Sequence, residues 1–139
     1  MTVSTNGKVL AILLVLFVFC DILLSPLGFE TRANAILGNA ASLPWFGGLV
    51  AGLVLNIAAL VLIFFRPRAA GVSSFVGSLV YMIVLLGDQE GLVVSVRPPP
   101  LITDVEIVTF FVLVGTLFFS WRVYSTSEPG PPTPQERAA

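Results

Sequence analysis

Two acidic side chains, Asp21 and Glu106, stand out as residues whose position could support chemistry. Asp21 lies well inside a long apolar run, and Glu106 lies near the beginning of another. A charged side chain at the middle of a membrane costs about 2.5–3.5 kcal/mol on insertion scales, so such residues usually serve a purpose. Three roles fit this pair: hydrogen bonds that fix the helices, a contact to a cation of another subunit, or a proton relay.

The residue types that are missing exclude most kinds of catalysis. The chain has no histidine, which excludes histidine-ligated metals, histidine-ligated haem and a histidine general base. Its single cysteine, Cys20, cannot form an intrachain disulfide, a Cys-x-x-Cys redox pair or a thiolate metal cage. We therefore predict no catalytic residue, no metal site and no cofactor.

The composition of the chain indicates that lipid is its solvent. Hydrophobic residues make up 56% of the 139 residues and charged residues 11%, with a mean hydropathy of +0.98. An ordinary soluble domain carries about 25% charged residues. The formal net charge of −1 leaves no basic face for nucleic acid, so membrane lipid is the expected surrounding.

Four apolar stretches are long enough to cross a bilayer, which takes about 20 residues in a helix. They cover approximately residues 9–29, 46–65, 69–87 and 104–124. Backbone groups in lipid must be satisfied within the segment, so each stretch should be a helix. The predicted fold is an all-α membrane protein, an antiparallel four-helix transmembrane bundle formed by residues 1–124.

The connecting segments differ in character. Residues 30–45 are small and mildly polar, and they predict a short interfacial helix. Arg66, Pro67 and Arg68 predict a tight turn that pairs the second and third spans. Residues 125–139 are rich in Pro, Glu and Ser and predict a disordered cytoplasmic tail.

The basic residues predict the orientation of the bundle, because Lys and Arg are retained on the cytoplasmic side. With the N-terminus inside, only Arg32 and Arg97 lie on the outer side. The remaining basic residues then lie on the cytoplasmic side: Lys8, Arg66, Arg68, Arg122 and Arg137. We therefore expect a multi-pass protein, placed in the plasma membrane, with both termini in the cytoplasm.

An alternative is that the first apolar run is a cleavable signal peptide. Lys8, the apolar run and the small residues Ala33 and Ala35 resemble such a signal, with cleavage before about Ile36. The segment between the run and this site is long and carries Glu30 and Arg32, which disfavours cleavage. Both possibilities remain open at this point.

Small residues at four-residue spacing predict how the helices pack. Gly48, Gly52 and Asn56 share one face of the second span. Ala70, Ser74 and Ser78 share one face of the third span in the same way. Small faces let two helix backbones approach closely in lipid, where hydrophobic burial gives no driving force. These faces should therefore pack against each other or against another helix.

The fourth span carries a mostly polar stripe that should point to protein rather than lipid. Its members follow three- and four-residue steps, which places them on one helical face. They are Glu106, Thr109, Leu113, Thr116 and Ser120.

Counting helical rise from the outer ends of the spans places several polar residues at similar depth. At about 1.5 Å per residue, Asp21 lies roughly 12 Å deep and Ser78 roughly 13 Å. Asn56 lies roughly 15 Å deep and Tyr81 roughly 9 Å. We predict a buried polar cluster in the outer half of the membrane, formed by Asp21, Asn56, Ser78 and Tyr81 and extended by Glu106 and Thr109.

Three functions follow from these observations. Small size, short loops and the missing catalytic groups favour a non-enzymatic accessory or assembly subunit of a larger membrane complex. A small transporter or channel is the second possibility, which would need a homo-oligomer because four helices enclose little pathway. The third is a lipid- or quinone-binding protein, with Asp21 and Tyr81 contacting the headgroup.

Overall fold

The computed structural model describes residues 3–37, 40–92 and 100–127, and from residue 25 to residue 37 it describes the backbone only. Within these residues the chain is helical and contains no strand. Four helices pack against one another, which confirms the prediction of an all-α, four-helix fold. They are α1 (Thr5–Leu37), α2 (Leu43–Leu62), α3 (Pro67–Gln89) and α4 (Pro100–Thr126).

The first helix is longer than the sequence suggested. It extends over 33 residues and continues to Leu37, whereas we expected the span to end near Phe29. Good helix formers such as Leu, Glu, Arg and Ala follow Pro26 and favour continuation of the helix. In place of the expected interfacial helix there is one 3₁₀ turn, Ala40–Ser42, directly before α2.

A tight connection joins α2 to α3. The Arg66 amide donates to the Leu62 carbonyl over 2.7 Å and closes the end of α2. Pro67 then occupies the first position of α3, where its missing N–H would have had no helical partner anyway. The end of α2 and the beginning of α3 therefore lie next to each other.

The third helix ends two residues later than the predicted span. Gly91 has a φ of 74°, the left-handed conformation that glycine adopts readily after a helix. The Leu92 amide donates to the Gly87 carbonyl over 2.8 Å and the Gly91 amide to Asp88 over 3.0 Å. This ending keeps Asp88 and Gln89 on the helix.

Helix α3 lies at the centre of the packing. It makes extensive contacts with α2 on one side and α4 on the other, and α4 packs against α1. The contact between α1 and α2 is the smallest of these four. Two apolar clusters form the core. One contains Leu10, Leu14, Ala59, Ile63, Ala70 and Val123, and the other contains Phe17, Tyr81, Leu85 and Leu113.

All four helices are long and apolar enough to cross a membrane. Large apolar side chains, among them Phe19, Val54 and Phe111, are exposed on the outside of the bundle. Water would solvate such a surface poorly, because a soluble monomer rarely exposes a continuous apolar surface of this extent. The fold thus has the helix lengths and surface of a multi-pass membrane protein.

Some predicted features lie outside the described residues. Most of the predicted tail belongs to them, because the structure describes the chain only up to Ser127, and α4 reaches Thr126. The loop residues 93–99, with Arg97, also lie outside the description, as do the side chains of Glu30 and Arg32.

Candidate functional site

Helices α2 and α3 lie close together where two glycines face each other. A Cβ atom built on Gly52 would lie 2.9 Å from the Gly77 carbonyl oxygen and 3.0 Å from the Tyr81 Cβ. A Cβ built on Gly77 would lie 2.8 Å from the Leu55 Cβ. Real Cβ contacts are longer than this, so glycine is needed at both positions for the backbones to lie this close.

Asn56 forms the centre of a buried hydrogen-bond network between these helices. Its amide nitrogen donates to the Gly52 carbonyl over 3.0 Å within α2. Its side-chain oxygen accepts from the Ser78 hydroxyl at 3.1 Å and from the Ser74 hydroxyl at 3.3 Å, both on α3. Asn56, Ser74 and Ser78 are all fully buried. Four-residue spacing on each helix brings these three groups to the same level.

Ser120 extends the network to α4. Its hydroxyl lies 2.9 Å from the Ser74 hydroxyl and 2.6 Å from the Thr116 carbonyl oxygen. A serine has one hydroxyl hydrogen, so Ser120 donates to one of these acceptors at a time. Since Ser74 donates to Asn56, its oxygen is free to accept from Ser120. Three helices are thereby joined through small polar side chains.

The other hydroxyls of the polar stripe on α4 bond within their own helix. Thr109 donates to the Val105 carbonyl over 2.7 Å, and Thr116 donates to the Val112 carbonyl over 2.8 Å. This four-residue back-bonding is a common way for threonine to satisfy its hydroxyl in a helix. The stripe is buried over its whole length: Glu106, Thr109, Leu113, Thr116 and Ser120.

A second polar contact joins α1 to α3. The Tyr81 hydroxyl donates to Oδ1 of Asp21 over 2.5 Å. Tyr81 is only 2% exposed, and its ring meets the Phe17 ring edge to face at a centroid distance of 4.8 Å. The tyrosine is thus held in place by packing, whereas the side chain of Asp21 is partly exposed.

A third polar contact joins the ends of α3 and α4. The Gln89 side-chain amide donates to a carboxylate oxygen of Glu106. Glu106 is 5% exposed, and Asp88, the residue before Gln89 on α3, is 9% exposed. Within the described parts of the chain, no group of three or more Cys, Asp or Glu side chains is arranged to hold a metal ion.

The structure distributes the predicted polar cluster over these separate contacts. It brings Asn56 together with Ser78, and Asp21 together with Tyr81. Across the residues described, neither Asn56 nor Ser78 bonds to Asp21, although their estimated depths were similar. The predicted packing residues Gly48, Gly52, Ala70 and Ser74 lie in the contacts of α2 and α3 with the rest of the bundle. Gly48 lies against Val84, and Ala70 is fully buried in the first core cluster.

Sequence reasoning did not find three of these contacts. Gln89 lay outside the predicted third span, so its bond to Glu106 was not expected. The contact between Ser74 and Ser120 depends on how α3 and α4 rotate relative to each other. At the opposite end of the bundle, Arg68 donates to the Tyr124 hydroxyl over 3.1 Å and lies 4.7 Å from the centre of its ring. The sequence did contain a signal for this pair, because an arginine and a tyrosine at the ends of two spans can form a cation–π contact.

Replacing Tyr81 by phenylalanine should reduce the stability of the bundle by about 0.6–1 kcal/mol, the range between the average in a membrane protein and the values in model peptides for a hydrogen bond between helices. The ring and its edge contact to Phe17 are kept, so the change removes only the bond to Asp21. Thermal unfolding in detergent measures the effect. Tyr124→Phe is the matched control, because its hydroxyl bonds Arg68 at the end of the bundle, where water can replace the bond. If both variants lower the unfolding temperature equally, the bond to Asp21 stabilises the bundle no more than the solvent-accessible bond of Tyr124 does.

The arrangement can hold helices together. Each of the three polar contacts joins two or more helices at a different level of the bundle. Comparison of the chain with known protein families, with curated proteins and with solved structures finds no match.

Proposed function

We propose that this chain is a non-enzymatic integral membrane protein that acts as an accessory or assembly subunit of a larger membrane complex. The observation that carries the proposal is the use of the buried polar groups. Asn56, Ser74, Ser78 and Ser120 are all fully buried and bond to one another or to helix carbonyls. Polar groups whose hydrogen bonds are satisfied inside the bundle hold helices together and do not line a pathway.

The direction of these hydrogen bonds also disfavours a proton relay through the bundle. Ser74 and Ser78 both donate to the same side-chain oxygen of Asn56. An amide oxygen has no hydrogen to pass on, so a chain of hydroxyls is interrupted there. Toward Tyr81, the fully buried Phe17 and Leu113 add an apolar layer. A transporter built from this chain would therefore need its pathway between several copies.

The proposed architecture is an antiparallel bundle inserted in a membrane. Gly48 of α2 lies against Val84 of α3, whereas Asn56, two turns later on α2, bonds to Ser74, which is earlier on α3. This reversed order supports an antiparallel pair, and the tight connection at Arg66 fits it. The long apolar helices and their exposed apolar surface support insertion in lipid.

We further propose a plasma-membrane location with both termini in the cytoplasm. Lys8, Arg66, Arg68 and Arg122 all lie near helix ends on the side where α1 begins and α4 ends, and basic residues are retained inside. A tag fused to the C-terminus should be protected from protease added to intact cells and become accessible after permeabilisation. Cleavage of that tag in intact cells contradicts this orientation.

The native mass of the protein tests the proposed function. We expect that mild-detergent extraction from its own membrane gives a stoichiometric complex with other proteins. A chain that runs alone contradicts the proposal. A complex made only of this chain contradicts it too and favours the homo-oligomeric transporter. In that case flux through the wild type and Asp21→Asn is the next comparison.

A further inference from the structure

We propose that Asp21 is the contact point for a transmembrane helix of a different protein, one that carries Lys or Arg at the depth of Asp21. This inference rests on the proposed function and names the chemistry of the partner. Its basis is a carboxylate that is oriented by the bundle and partly exposed, and that no cation contacts among the residues the structure describes.

The exposure of Asp21 indicates that the bundle is open at its level. On α1, Asp21 continues a stripe of residues at three- and four-residue steps, which face the bundle interior. The other members, Leu10, Leu14, Phe17 and Leu24, are buried, with relative exposures between 0% and 9%. Asp21 is partly exposed although it occupies the same face. Because the contact between α1 and α2 is the smallest of the four contacts between neighbouring helices, we infer that the opening lies between these helices.

The bundle satisfies only one of the two carboxylate oxygens. Oδ1 accepts the Tyr81 hydroxyl at 2.5 Å, and the tyrosine itself is fixed by its contact with Phe17. Within residues 3–37, 40–92 and 100–127, no other hydrogen bond or ion pair reaches Asp21. Oδ2 is therefore left for a group from outside the bundle, in a direction that Tyr81 determines.

The depth of Asp21 explains why the outside group should be a cation. Tyr81, its partner, lies eight residues before Gln89 at the end of α3, which is about 12 Å below that end. With the end of α3 at the outer boundary of the membrane, this level lies inside the hydrocarbon core and below the lipid headgroups. Charged groups at such depth usually pair with one another, because an unpaired charge is costly there.

Among the residues whose helices the structure describes, a second copy of this chain in the same orientation does not offer that cation. Lys8 precedes Asp21 by thirteen residues on α1, about 20 Å along the axis. Arg66, Arg68 and Arg122 lie at the same end of the bundle as Lys8. Arg32 follows Asp21 by eleven residues on α1, about 16 Å further along the axis. Copies with one orientation place these residues at the same levels, so we assign the matching cation to a different protein.

A helix of defined sequence tests the contact. The full chain is co-expressed with a leucine–alanine transmembrane helix, oriented by a basic cytoplasmic flank, that carries one Lys about 12 Å below the outer boundary. Energy transfer between cytoplasmic fluorescent tags measures association. We expect the Lys helix to associate about tenfold more tightly than the same helix with Leu in place of Lys, the factor that about 1.4 kcal/mol gives. Equal association of the two helices overturns the proposal without any change to the chain itself.

Variants of Asp21 separate charge from structure. Asp21→Asn keeps an oxygen for the Tyr81 hydroxyl but has no charge, so we expect unchanged thermal stability and loss of the preference for the Lys helix. Asp21→Glu keeps the charge and should keep the preference. A helix with its Lys near the opposite boundary should associate no better than the Leu helix. An Asn variant that retains the full preference overturns the proposal.

The same variant in the native membrane distinguishes this inference from the proposed function. If the wild type forms a complex with other proteins and Asp21→Asn does not, while remaining folded, the contact is supported. If both form the complex equally well, the contact is overturned and the subunit function stands. If the wild type forms no complex with another protein, both are overturned.

Discussion

Replacing Gly52 by alanine should destabilise the bundle by about 1–3 kcal/mol, the usual cost of overpacking a closely packed interior. The added methyl group would lie 2.9 Å from the Gly77 carbonyl oxygen and 3.0 Å from the Tyr81 Cβ. Both atoms belong to or adjoin the backbone of α3, so they cannot move away as the end of a long side chain can. Relief requires that α2 and α3 separate along the face that carries Asn56. Thermal unfolding in detergent and the yield of folded protein measure the loss.

Gly47→Ala is the matched control for this prediction. Gly47 lies on the same helix, and a Cβ built on it meets nothing within 4 Å. The same chemical change should therefore leave the unfolding temperature unchanged or raise it slightly, because alanine favours a helix more than glycine does. If Gly52→Ala and Gly47→Ala behave alike, the close approach of α2 and α3 is not needed for stability.

The helices of this protein follow from the sequence because hydropathy and length decide them. Four apolar stretches of about 20 residues have few alternatives in lipid. The ends follow less well, since they depend on local details. Gly91 allows α3 to close two residues after the predicted span, and α1 continues beyond Pro26 for a further eleven residues. An average hydropathy over about 20 residues predicts neither of these helix ends.

The polar contacts were predictable where one helix sets the spacing and unpredictable where two helices must be rotated against each other. Gly52 and Asn56 share a face by their spacing, as do Ser74 and Ser78, and the tight turn at Arg66 makes these faces neighbours. The depth estimate also placed Asp21 near Tyr81. It could not decide that Asn56 bonds to Ser78 and not to Asp21, because helix tilt allows an error of about one turn, roughly 5 Å, which exceeds the differences between the estimated depths. The bond of Ser120 to Ser74 depends on the rotation of α4, which spacing does not contain.

The network around Asn56 and the carboxylate of Asp21 therefore differ in their consequences. The network around Asn56 is fully buried and closed upon itself, so its energy goes into the fold. Asp21 is partly exposed and only one of its carboxylate oxygens accepts a hydrogen bond within the described residues, so the other oxygen can interact with a partner. Substitutions at these two places should separate accordingly: changes in the network alter stability, and neutralisation of Asp21 alters association.

Asn56→Leu should reduce stability by about 2 kcal/mol, because it removes three hydrogen bonds that contribute about 0.6 kcal/mol each in membrane proteins. Leucine keeps the branching and the number of heavy atoms of the side chain, so the change is chiefly one of polarity. The hydroxyls of Ser74 and Ser78 lose their common acceptor, and a buried hydroxyl without a partner adds to the cost. Unfolding by denaturing detergent measures the difference in free energy.

Removing the two serines as well tests whether the loss comes from their unsatisfied hydroxyls. The variant with Asn56→Leu, Ser74→Ala and Ser78→Ala should recover about half of the lost stability, because replacing both partners of a buried hydrogen bond by apolar groups is less costly than replacing one. Ser120 keeps the Thr116 carbonyl as an acceptor in this variant. If the triple variant is less stable than Asn56→Leu alone, the loss in Asn56→Leu does not come from unsatisfied serine hydroxyls, and the serines contribute through packing or through the bond from Ser120 to Ser74. Unchanged stability of Asn56→Leu would mean that the small faces of α2 and α3 hold the pair together without it.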